Sequence, residues 1–111
     1  MKLTNQEIIN RINAILTLGG VELPVQITYA LKKNHRKLVT EYKDYEEQFN
    51  ELKIKYPEKE EPIMLNNAVK ELLAIENEIE IHKVPEELFI TGDFKISAQQ
   101  LGALEFMIET R

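Results

Sequence analysis

Leu31, Leu38, Tyr45 and Leu52 recur every seven residues, flanked by Ile27, Tyr42, Phe49 and Tyr56. An apolar repeat held over three such intervals predicts one helix from about Gln26 to about Lys55, resembling the seam of a helical hairpin or short coiled coil. At 1.5 Å per residue a helix of about 28 residues runs ~42 Å, longer than a compact domain of this size is wide. One end should then protrude. If it carries aromatics there, it offers a surface for self-association or for a partner helix, and Tyr42, Tyr45, Phe49 and Tyr56 mark that surface. The plain alternative is that the row packs on the other helices. Polar Asn34 and His35 interrupt the second row, which argues against a simple two-stranded zipper.

The flanking segments carry clearer local signals. Thr4 with Glu7 makes a capping box, with Leu3 and Ile8 as its hydrophobic staple, and Ile8, Ile9, Ile12, Ile15 and Leu16 form one apolar stripe that Gly19–Gly20 ends. Val21 to Ile27 contains Pro24 and reads as an extended edge segment or a lead-in to the long helix. A charged connector with two prolines, Lys55 to Pro62, precedes a third helix whose face is Leu65, Ala68, Val69, Leu72 and Leu73. Between Glu78 and Val84 the period changes to two, the pattern of a half-buried strand. Pro85 to Leu88 suits a single helical turn. Phe94–Ile96 reads as a minimal strand after a turn at Thr91–Asp93. Ser97 with Gln100 is a second capping box, and Leu101, Leu104, Met107 and Ile108 give the last helix its buried face. Gly102 inside that helix is costly unless another backbone packs closely there. The expected fold is α+β and mostly helical: a single domain over residues 1–111 with four helices, the long second one central, and a small two- or three-stranded sheet. Its core should include Ile8, Ile12, Ile15, Leu31, Leu38, Leu72, Ile79, Ile81, Leu101 and Leu104.

Composition narrows the function classes. No cysteine is present, which removes disulfide frameworks, thiolate chemistry and sulfur-based zinc sites. A net charge of −5 and a sequence pI near 5.1 disfavour general nucleic-acid binding. No window approaches the ~18 consecutive apolar residues of a membrane span, and the first residues form no apolar signal region, so the cytoplasm is the expected location.

Against that acidic background Lys32, Lys33, Arg36 and Lys37, with His35 among them, stand out as a basic cluster inside the long helix. Helical spacing sets Lys32 over Arg36 and Lys33 over Lys37, like-charge pairs that each oppose the helix by a few tenths of a kcal/mol. They call for a neutralising partner. It is either an anionic ligand or acidic protein outside the fold, or Glu78, Glu80, Glu86 and Glu87 within it; a plain solvated face is the third reading. Glu78, Glu80 and His82 fall on one strand face and could bind a divalent metal with Asp93 or His35 as a further ligand, but such alternation is more often a strand's solvent side, so no metal or cofactor is expected. No acidic residue sits inside an apolar stripe; Glu105, between Leu104 and Phe106, comes nearest and should face out. The only serine, Ser97, is explained as a cap, and Gly19–Gly20 follows a helix rather than a strand. Nothing points to an enzyme.

Three stretches carry a resemblance. They are the Leu-Thr-Asn-Gln-Glu helix start with Glu22–Val25 leading into Tyr29–Leu31 and a Lys-rich helix, the segment Glu78–Val84, and Ile96–Ala98 through Leu101–Ile108. In this order they resemble a family of short, uncharacterised tailed-phage proteins from phages of Gram-positive bacteria. The resemblance covers most of the chain, although the Lys55–Pro62 connector is shorter here. It implies a small non-enzymatic interaction protein in the host-cell cytoplasm or on the virion, accessory to virion assembly or self-associating. The alternative it leaves is a counter-defence inhibitor or sponge that binds a host protein or small anion through Lys32–Lys37.

Overall fold

A computed structural model describes residues 1–90, 92 and 94–109. Strand β1 (Lys2–Thr4) runs directly into helix α1 (Asn5–Leu16), and the Thr4–Glu7 capping box forms in full. The Glu7 main-chain N–H donates to Thr4 Oγ1 at 3.1 Å, and the Thr4 N–H donates to Glu7 Oε1 at 3.0 Å. Ile8 and Ile15 are buried and Ile12 is partly so, but Leu16 is 67% exposed. The helix stops at Leu16, and the following turn brings Leu18 into the core in its place. Gly20 closes the turn at φ 84°, a left-handed conformation that glycine adopts without steric cost.

No edge strand forms at Val21–Ile27. Pro24 is itself the residue before helix α2 (Val25–Lys55), and its carbonyl accepts from the N–H groups of Ile27 and Thr28. A proline holding φ near −55° leads straight into a first turn whose N–H groups lack helical partners, so it needs no sheet edge. Helix α2 has 31 residues and spans about 46 Å. It sets the shape of the molecule, which measures 56 × 25 × 19 Å. The radius of gyration is 17.0 Å, against about 13 Å for a compact domain of this length. The far half of α2 and helix α3 (Pro62–Leu73) pack together through Leu65 and Leu72 as a hairpin arm. The arm is closed by a turn in which Glu60 and Glu61 both donate to the Pro57 carbonyl.

The β-structure differs from expectation. Strand β2 is Glu76–Glu78 and pairs antiparallel with β1, setting Leu3 opposite Asn77. Strand β3 (Val84–Pro85) pairs in parallel with β4 (Ile108–Glu109). The single strand read over Glu78–Val84 is therefore two short ladder ends joined by an irregular segment. Its alternation survives, with Ile79 buried, Ile81 half-buried and Glu78, Glu80 and His82 exposed, because α2 holds the segment through side chains. Phe94–Ile96 joins no ladder. Its two apolar residues pack on the core instead, Phe94 edge-on to Phe89 at 6.2 Å. The expected turn at Thr91–Asp93 lies mostly outside the described residues.

Helix α4 (Glu87–Ile90) supplies the anticipated single turn, two residues later than Pro85, which β3 occupies. Helix α5 (Ala98–Leu104) carries the second capping box, with Gln100 N–H donating to Ser97 Oγ at 3.1 Å. It then tightens into a 3₁₀ turn, Glu105–Met107, so Ile108 enters β4 rather than a helix face. The tighter turn places both Phe106 and Met107 in the core, where Met107 is fully buried. Gly102 has no neighbouring backbone against it, contrary to expectation: a Cβ there would meet nothing within 4 Å. The architecture is α+β and mostly helical, with a long central helix and two separate two-stranded ladders.

Candidate interaction surface

The face of α2 that looks inward carries Ile27, Ala30, Asn34 and Leu38, all buried. Asn34, read from sequence as a break in the apolar row, is fully buried and works as a clamp. Its Nδ2 donates to the His82 carbonyl at 2.8 Å and its Oδ1 accepts from the His82 N–H at 2.7 Å. The clamp satisfies two main-chain groups that no strand partner reaches. It fixes the irregular segment against α2 and so decides which basic side chains that segment touches.

The basic cluster is divided by this packing. Lys33 lies over the Tyr29 ring with Nζ 5.1 Å from its centre, and Lys37 Nζ donates to the Glu80 main-chain carbonyl at 2.6 Å. Lys32 and Arg36 are exposed, and with His35, Val39, Thr40 and Lys43 they line a shallow groove. The expected neutralisation by the acidic segment does not occur through its carboxylates. Glu78 instead takes the Met1 amino group at 2.8 Å, and Glu80 offers only its carbonyl. Among the described residues no carboxylate forms an ion pair with Lys32, Lys33, Arg36 or Lys37. The hydrogen bond from Met1, with the charge of that ammonium, holds the Glu78 carboxyl below the usual carboxylate range.

Glu78, Glu80 and His82 do not converge. The His82 ring stands edge-on to Tyr29 at 5.9 Å, and among the described residues no three His, Asp or Glu side chains are grouped to hold a metal ion. Asp93, the further candidate ligand, lies outside the described residues. Glu105 is exposed at the rim of an apolar groove between α4 and α5.

Tyr42, Tyr45 and Phe49 form a ladder of rings, 5.8 and 5.9 Å apart, the second pair nearly parallel at 19°. They are half-buried in a cleft shared with Ile9 of α1, and Lys53 closes the far end over Phe49 at 4.9 Å. Burial, and then neighbouring Tyr42, hold the Tyr45 phenol above its usual range. Tyr56 stands apart at the arm's tip, under Lys55. The ladder therefore lies in the angle between the body and the arm, not on the arm's open side.

The open side of α2 was not legible as a surface. At about 100° per residue, Val25, Tyr29, Lys32, Arg36, Lys43, Glu47 and Ile54 fall within about 40° of one line, opposite the buried face, with Glu51 at the margin. All are exposed; Val25, Tyr29 and Ile54 are exposed to 84%, 56% and 80%. Near the arm's tip Ile63 and Met64 add further uncovered apolar surface. Apolar residues off the core period were the available signal for this stripe.

No family model, curated protein or solved structure matches the chain. No helix among the described residues is long and apolar enough to cross a membrane.

Proposed function

We propose that the protein is a non-enzymatic, self-associating structural protein whose elongated helical arm is its assembly element. One observation carries this reading: a chain of 111 residues extends 56 Å along one helix and leaves apolar residues uncovered along it. A folding chain gains most by burying such residues, and an arm that projects from the core leaves them to another molecule. The resemblance to small tailed-phage proteins supplies the setting, an accessory role in virion assembly within the host cell or on the particle. Light scattering across a concentration series tests it. An oligomer whose share rises with concentration is expected, and a chain that stays monomeric throughout overturns self-association.

A second reading is favoured by the uncovered Lys32, Arg36 and Lys43, which form a cationic groove without carboxylate partners among the described residues. Through it the protein would act as an inhibitor or sponge for a small anion or an acidic host protein. Nucleotides should then raise the melting temperature, and reversing charge at Lys33 and Arg36 should abolish the shift. An unchanged melting curve removes this reading.

A further inference from the structure

We infer that two copies of the chain pair antiparallel along the open stripe of α2, in a register centred between Glu41 and Tyr42. This rests on the self-association reading above and names its partner and geometry.

Charge is unevenly distributed along α2. From Val25 to Thr40 the helix carries four lysines and arginines and no acidic residue, whereas from Glu41 to Lys55 it carries five acidic residues against three lysines. One end of the open stripe is therefore positive (Lys32, Arg36, Lys43) and the other negative (Glu47, with Glu51 beside it). A parallel partner would set like charges together, and an antiparallel partner sets opposite charges together.

Helix geometry then selects the register. Centring the two-fold axis between Glu41 and Tyr42 brings Arg36 of one copy opposite Glu47 of the other. The same register sets Tyr29 opposite Ile54 and places Lys32 and Lys33 beside Glu51. Lys43 lies opposite Thr40, and the like charges nearest the axis are the two Lys43 side chains, offset by about 4.5 Å along it. Each contact occurs twice, because a two-fold interface is isologous. Tyr29 and Ile54 are exposed large apolar residues of the open stripe, and this pairing covers both. It also answers the like-charge stacking of Lys32 over Arg36, which no carboxylate among the described residues relieves. The buried face of α2 points away from the proposed partner, so the pairing requires no rearrangement of the core.

The charges fix orientation and register, and the apolar ends supply most of the attraction. Reversing one charge should then weaken the dimer on the order of tenfold, and reversing both partners should restore it. Light scattering of the full chain tests this with Arg36→Glu, Glu47→Arg and the double variant; circular dichroism confirms that each is folded. Both single variants should dissociate at concentrations where the double variant and the unaltered chain are dimeric. The absence of cysteine allows an independent check. Arg36→Cys and Glu47→Cys chains, mixed and oxidised, should form a disulfide with each other. Neither should form one with itself, since like positions lie about 16 Å apart along the axis in this register.

A dimer that is indifferent to both reversals, or that cross-links equally within one variant, overturns the antiparallel register and leaves self-association standing. A chain monomeric at every concentration overturns both.

Discussion

The side-chain amide of Asn34 holds the His82 main chain at both its N–H and its C=O, at 2.7 and 2.8 Å. One residue on a helix thus does for an irregular segment what a neighbouring strand would do in a sheet. Replacing it by leucine keeps the volume but leaves two main-chain groups without partners. Asn34→Leu should cost about 2–4 kcal/mol, read as a lower urea midpoint with little change in slope. Asn34→Asp should cost at least as much, because it loses the donor and buries a charge.

Gly102 sits within α5 with open space around it. Nothing in the structure requires glycine there, and alanine would reduce the entropy of the unfolded chain. Gly102→Ala should stabilise the protein by about 0.5–1 kcal/mol, measured by urea or thermal unfolding.

Among the described residues, two exposed carboxylates titrate below their ordinary range. Glu7 is held down by hydrogen bonds from the Thr4 main-chain N–H and hydroxyl, and Glu78 by the Met1 amino group. A carboxylate with a depressed folded pKa adds stability that is complete above the unfolded value and is lost as pH falls through the folded one. Unfolding midpoints should therefore fall on the acid side of the carboxylate range. Glu7→Gln and Glu78→Gln should each flatten that limb while lowering the plateau near neutral pH slightly.

The arm depends on Leu65 and Leu72, the two buried residues of α3. Leu65→Ala should cost about 2–3 kcal/mol, and hydrogen exchange should show that the loss loosens α3 and the far half of α2.

Local signals were legible in the sequence and long-range ones were not. Both capping boxes were readable because a cap is settled within four residues, Thr4 to Glu7 and Ser97 to Gln100. The extent of α2 followed from a repeat that only a helix satisfies. The ladders of two or three residues were not readable, since so short a run has no period and its partner lies elsewhere in the chain: Leu3 meets Asn77, and Val84 meets Ile108. Asn34 looked like an interruption for the same reason, its partner being 48 residues away. The basic cluster was visible as a group. Its division was not, because Tyr29 and the Glu80 carbonyl, which engage Lys33 and Lys37, come from packing.

The central claim is that this elongated chain is completed by a second copy. Sedimentation equilibrium of the unaltered protein tests that most directly. The account predicts a species of twice the 13.0 kDa chain mass that dissociates on dilution, at a somewhat higher concentration in high salt than in low. A mass of one chain at every concentration and ionic strength would contradict it.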